Sequence, residues 1–238
     1  WGGYITGLAE NMEYILTPAV IVVGIGGYLG AMFGTPAELE PVWWAVAYAV
    51  FVGLNIWGVE LSFRFSVVIT ALSLAILAIF YIGALSHVDF STFAFDIPPE
   101  EGGTPFLPMG VKGIFAALPF AIWFYLAIEE LPLAAEEAVD PKRDMPRGIL
   151  LGLLTLVLCA FLTLTLNTAI APGAQALSTS DEPLFEGFKT IFGDGFGAKA
   201  LALIAVCGLV ASFHTIIYAY GRQIFSLSRA GYMPTWLS

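Results

Sequence analysis

Six apolar runs, over residues 5–33, 42–58, 65–86, 113–133, 148–171 and 198–221, constrain this chain more than any other feature. Each is 17 residues or longer, enough for a helix to cross the roughly 30 Å of hydrocarbon in a bilayer. Backbone amides and carbonyls find no water there, so a spanning segment must be an α-helix or a strand of a closed barrel. A barrel strand alternates polar and apolar residues over about ten positions. "VVITALSLAILAIFYIG" (67–83) is apolar on every side. The chain is therefore predicted to be an all-α membrane protein with about six transmembrane helices, in a single transmembrane domain over 1–238. Composition agrees: 58% hydrophobic residues, 12% charged residues and a mean hydropathy of +0.85 exclude an ordinary water-soluble domain. The chain opens on Trp1, without a methionine, a charged n-region or a small-residue cleavage site. It reads as a fragment, with helices expected beyond both ends.

Orientation follows from the basic residues. If the first span runs from inside to outside, Arg64, Lys142, Arg143, Arg147, Arg222 and Arg229 fall inside and only Lys112, Lys189 and Lys199 outside, as the positive-inside rule requires. The net charge of −10 comes largely from acids in the outer loops, most simply a solvated exterior and otherwise a weak attraction for cations at the mouth; no nucleic-acid partner is expected. Trp43, Trp44 and Trp57 sit near the ends of the second span, as interfacial anchors do. Gly26, Gly30 and Gly34 repeat every fourth residue and predict one smooth helix face for a close neighbour. Segments 87–112 and 172–197 are rich in Pro, Gly, Ser, Thr and Asp and read as outer loops with short surface helices. Cys159 and Cys207 lie inside apolar runs and read as small hydrophobes.

The fourth run breaks the pattern. "AIWFYLAIEELPLAAEE" (121–137) carries Glu129, Glu130 and Pro132 within a stretch otherwise apolar enough for the bilayer. Pro132 cannot donate a backbone hydrogen bond and its ring clashes with the carbonyl four residues back, so the helix must bend or break. A charged side chain near mid-bilayer costs at least about 2.5–3.5 kcal/mol, so the glutamates must face a cavity, a partner or the inner surface. A broken membrane helix frees backbone groups for a substrate, and the stretch is predicted to be helical from about 113 and irregular near 126–132. The simpler alternative ends the span at Ile128 and leaves the glutamates as an interfacial cap.

Other polar residues in the spans are weaker candidates. Glu10 and Glu13 lie three apart on one helix face with Asn11 beside them, either as an inner polar cap or, at Glu13, as a coupling carboxylate. His214, deep in the last span, is either a buried neutral histidine or a proton relay. Ser212 and Thr215 offer hydroxyls to a sodium ion.

Three motifs carry a family resemblance. "FAALPFAIWFYLAIEELPLAAEEAVDPKRDMPRGI" (115–149) resembles the sixth helix and following inner loop of the amino acid–polyamine–organocation permeases. "NIWGVELSFRFS" (55–66) resembles their link between the fourth and fifth helices, and "YGRQIFSLSRAGYMPTWLS" (220–238) the segment after the eighth. Within the family, 7–30 and 211–234 look most like the ethanolamine permease branch. The resemblance implies the five-plus-five inverted-repeat fold, of which this chain would supply helices three to eight, the remaining helices of the same permease being its partners. It implies a substrate site at the broken sixth helix, formed by Trp123, Phe124, Tyr125, Ala127 and Glu129, with an aromatic face holding an ammonium by cation–π attraction. Glu129 is expected at the site, as substrate ligand or proton carrier, and Glu130 about 100° away, towards the inner surface. Glu136 and Glu137 with Arg143 and Arg147 would form a cytoplasmic gate, although "DPKRDMPR" (140–147) is most simply a solvated loop. Where many relatives have Gly before this glutamate the chain has Ala127, and where some proton-linked relatives have a lysine on the fifth helix it has Ser73. The coupling ion, H+ or Na+, stays open.

The function expected is therefore secondary active transport, as uptake or exchange, of a small organic amine or amino acid such as ethanolamine, across the cytoplasmic membrane and with no cofactor or metal. Another amino acid or polyamine is the alternative substrate. A membrane-embedded enzyme using Glu129, Glu130 and His214 lacks any HExxH, GxSxG or Cys/His metal spacing, and a non-transporting receptor on the same fold is the other alternative.

Overall fold

The computed structural model describes residues 1–57, 59–126, 128–180, 182–193 and 195–237. The side chains at 57, 59–63, 65, 134, 136, 137, 198, 202, 204 and 205 lie outside it. The described chain is all-α: α1 (Gly2–Phe33), α2 (Glu40–Trp57), α3 (Val59–Ala84), α4 (Gly110–Trp123), a 3₁₀ stretch (Ile128–Glu137), α5 (Pro141–Thr168), α6 (Ala174–Leu177), α7 (Pro183–Phe192) and α8 (Phe196–Arg229). Among the described residues, six segments are long and apolar enough to cross a membrane: Gly2–Phe33, Ala37–Ile56, Ser66–Ala84, Gly110–Leu133, Pro141–Thr168 and Lys199–Arg229. Large apolar side chains such as Leu150, Leu154 and Phe161 stay exposed, which suits a hydrocarbon solvent. The chain packs as two compact units.

The first unit takes Trp1–Ser73, Pro132–Glu136 and Leu203–Ser238. Here α1 runs antiparallel to the end of α8. A Cβ on Gly7 would meet Leu227 and Gln223, and one on Gly24 would meet Leu209. Between them Tyr14 is buried against Ile216 and Ala219, with Leu133 and Tyr220 around the cluster. Lipid tails are as apolar as leucine, so this contact depends on close packing and hydrogen bonds rather than on escape from water. The glycine repeat divides its labour. A Cβ on Gly26 would stand 2.5 Å from Trp44 Nε1, so only glycine lets α2 come this close. Gly34, at φ 65°, ends α1 in the left-handed conformation, and its N–H returns to the Gly30 carbonyl. The smooth face is thus a helix contact at Gly26 and a helix stop at Gly34.

The second unit takes Leu74–Leu131 and Glu137–Ala202. Phe80 and Phe188, both fully buried, meet edge to face at 5.6 Å between ring centres. Tyr81 donates to the Cys159 carbonyl at 3.1 Å and pairs with Thr163 Oγ1 at 2.9 Å, tying α3 to α5. Asn167 Nδ2 donates to the Pro183 carbonyl at 3.1 Å, and Gly187 leaves room for its Oδ1. Segments 87–109 and 169–195 are short helices and turns, held where Asp96 accepts from the Gln175 amide at 2.9 Å. Outside the spans, Asp89 accepts from the hydroxyls of Ser91 and Thr92, 2.6 Å each, which lower its carboxyl to about 2. Both cysteines are free and half-buried.

One sequence reading needs correction. "DPKRDMPR" is not a loop: α5 begins at Pro141. Asp140 caps it, its carboxylate accepting from the Arg143 amide at 3.4 Å, and Pro141 occupies the first turn, where its missing N–H costs nothing.

Candidate functional site

The fourth span stops being α-helical at Trp123. The Phe124 amide turns back to the Ala121 carbonyl at 3.2 Å and that of Tyr125 to Ile122 at 2.9 Å, the three-residue closure that tightens a helix end. From Ile128 to Glu137 the chain continues as a 3₁₀ helix of 10 residues. Such helices rarely exceed three or four residues, because their hydrogen bonds are poorer and side chains eclipse at every third position. This one is anchored by that eclipse. Ile128 and Leu131 fall on one edge, and a Cβ on Gly152 of α5 would meet their Cδ1 atoms at 3.4 and 3.6 Å. Pro132, inside the stretch, has no N–H to give to the Ile128 carbonyl.

Trp123, Phe124 and Tyr125 follow one another at the end of α4, and all three are exposed. Ala127 lies outside the described residues. Glu129 is exposed, whereas Glu130 is buried to 6% exposure. That reverses the expected placing of Glu130 at the inner surface. Tightening to about three residues per turn rotates successive side chains by about 120°, and the anchoring of Ile128 and Leu131 sets which carboxylate turns inward.

The coupling candidates lie in the first unit. Glu13 is half-buried, and a turn of about 200° separates it from Asn11, so the two do not share a site. Asn11 is buried, with neither amide atom hydrogen-bonded among the described residues. Glu10 accepts from Gln223 Nε2 of α8 at 2.6 Å. Ser212 and Thr215 are exposed, and the Thr215 hydroxyl donates to the Ala211 carbonyl of its own helix at 2.8 Å. His214 is fully buried, with Asn55 Nδ2 3.1 Å from its Nδ1. Ser73 donates to the Ile69 carbonyl at 2.9 Å and packs where Gly208 of α8 lacks a side chain. Arg143 and Arg147 are exposed at the start of α5, while the side chains of Glu136 and Glu137 lie outside the described residues. Asn55 and Gln223 were missed in the sequence. The signal for Asn55 was there, as an amide inside the apolar run 42–58, where polar groups need partners; Gln223 lies just past the run 198–221, beside Arg222, and carries no such signal.

Comparison with known proteins supports the permease resemblance along the whole length. A family model described as "Amino acid permease" matches residues 1–238. An uncharacterized transporter of Rhizobium meliloti (strain 1021) is 31% identical over 97% of this chain and 49% of its own length. The methylthioribose transporter of Bacillus subtilis (strain 168) is 26% identical over 98% of this chain and 46% of its own. A branched-chain amino acid permease of the same organism is 24% identical over 100% and 47%. The chain spans about half the length of the curated relatives it matches.

Proposed function

Since this chain belongs to the amino acid permease family, a family of transporters rather than enzymes, we propose that it forms part of a secondary active transporter. The cargo is a small organic amine or amino acid, ethanolamine foremost, and the barrier is the plasma membrane. One observation carries the reading: the fourth span leaves the α-helix at Trp123 and runs through a ten-residue 3₁₀ stretch holding four carboxylates, Glu129 and Glu130 at its start and Glu136 and Glu137 at its end. Such a break turns backbone groups and charge towards a substrate. In this reading Phe124 and Trp123 offer ring faces to the ammonium, worth about 0.5–2 kcal/mol. Tyr125 lines the same turn, and Ala127 is a further candidate contact for the cargo. Glu129, exposed on this chain, supplies the carboxylate that pairs with the cargo or takes up a proton. Glu13 is the second carboxylate for proton coupling; Ser212 and Thr215 are the hydroxyls for sodium. Arg143 and Arg147 guard the inner end with Glu136 and Glu137.

The test is uptake by the full-length permease in proteoliposomes, with ethanolamine, branched-chain amino acids and methylthioribose as competing cargoes and imposed proton or sodium gradients in turn. Ethanolamine uptake driven by one gradient, and reduced by Glu129→Gln and Phe124→Ala, supports the proposal. Transport of another cargo corrects the substrate, and gradient-independent binding without uptake removes the transporter reading.

A further inference from the structure

Asn55 of α2 and His214 of α8 form a polar contact whose hydrogen-bond sense can be worked out. Asn55 Nδ2 lies 2.9 Å from the carbonyl oxygen of Phe51, one turn back on its own helix. A backbone carbonyl only accepts, so the amide atom facing it is the NH₂ group. The orientation of Asn55 is therefore set by the α2 backbone and not by the ring it meets. The same nitrogen stands 3.1 Å from His214 Nδ1 and 3.4 Å from the His214 carbonyl. With one N–H on Phe51, the other is directed to the histidine, where the carbonyl at 3.4 Å and Nδ1 at 3.1 Å can both accept it. An N–H on Nδ1 would instead face an NH₂ group, which cannot accept, so Nδ1 is the bare nitrogen. A neutral imidazole that accepts at Nδ1 carries its proton on Nε2. The histidine is tightly packed, with no exposed surface and the Phe51 ring edge-on at 6.0 Å, while Asn55 is half-buried.

We propose that Asn55 is a positioning residue that holds His214 as the Nε2–H tautomer, a fixed hydrogen-bond donor, and that uptake depends on this contact between α2 and α8. The tautomer follows from local geometry alone. The consequence for transport rests on the function proposed above.

Asn55→Asp separates this role from simple packing, because aspartate keeps the shape of asparagine and reverses the hydrogen-bonding sense. The full-length permease is labelled with ¹⁵N-histidine, and the His214 signal is identified by its loss in His214→Gln. At neutral pH the wild type should show a bare Nδ1 and a protonated Nε2. Asn55→Asp should move the proton to Nδ1 and lower uptake about tenfold or more, since a half-buried carboxylate then faces the Phe51 carbonyl. Combining it with His214→Asn, whose amide can donate to the carboxylate, should recover part of that loss. A wild-type ring protonated on Nδ1 overturns the proposal, and that spectrum decides the matter even if Asn55→Asp fails to fold. Wild-type uptake by Asn55→Asp despite a switched tautomer overturns its transport half. Absence of uptake by the wild type with every cargo would count against the transporter reading and leave the tautomer standing on its own spectrum.

Discussion

Replacing Pro132 by alanine tests whether the 3₁₀ stretch is imposed by the missing N–H. Proline inside an α-helix costs about 3 kcal/mol relative to alanine, so Pro132→Ala should move the balance between broken and continuous helix by about a hundredfold. The geometry gives that shift a ruler. The 10 residues from Ile128 to Glu137 advance about 20 Å as a 3₁₀ helix at roughly 2.0 Å per residue, and about 15 Å as an α-helix at roughly 1.5 Å. Spin labels at Ala121 and Val139, both exposed and flanking the stretch, should therefore approach by about 5 Å when it rewinds. The measurement is electron–electron distance spectroscopy on the full-length permease, with Cys159 and Cys207 replaced by serine. Uptake is followed in the same preparation and should fall with the contraction. An unchanged distance with wild-type uptake would mean that packing on Gly152, and not proline, maintains the break.

Gly26→Leu should drive a side chain into Trp44 and lower the detergent-solubilised protein's stability by about 1–3 kcal/mol, seen as a fall in Tm; an unchanged Tm would show that α1 and α2 do not meet so closely. Asn167→Leu removes the bond to the Pro183 carbonyl and should cost about 1 kcal/mol, read as faster amide exchange across α7, whereas wild-type exchange would show the bond to be dispensable. The Asp89 carboxyl, held down by the hydroxyls of Ser91 and then Thr92, should titrate near 2 by ¹³C NMR. Because this value is lowered on folding, the contribution is complete above the ordinary 3.8 and is lost as pH falls towards 2; a midpoint near 3.8 would break the link to the two hydroxyls.

The spans were legible because their signal is length and hydropathy, which depend on the solvent rather than on neighbours. The interruption was legible from Pro132 and two glutamates for a similar reason, as each breaks a rule that holds for any membrane helix. Its form was not. Whether a broken helix unwinds to a loop or tightens to 3₁₀ depends on what its side chains rest against, and Gly152 lies on a different helix. The same dependence hid the inward turn of Glu130. Asp140-Pro141 carries an N-cap and first-turn signature that marks the start of α5, but the density of charge in 140–147 fits a solvated loop as well, and only the structure separates the two. The Asn55–His214 clasp joins residues far apart in the chain, and its amide was visible only as an unexplained polar group.

Substrate protection at Leu126, half-buried between the aromatic run and the 3₁₀ stretch, locates the binding site most directly. Leu126→Cys is introduced in the full-length permease with Cys159 and Cys207 replaced by serine, and its alkylation rate is measured with and without the cargo that the wild type transports fastest. Leu150→Cys, on the exposed surface of α5, is the control. Saturating cargo should slow the reaction severalfold at Leu126→Cys and leave Leu150→Cys unchanged. Equal rates at Leu126→Cys with and without cargo would place the substrate elsewhere and reduce the interrupted span to a structural break.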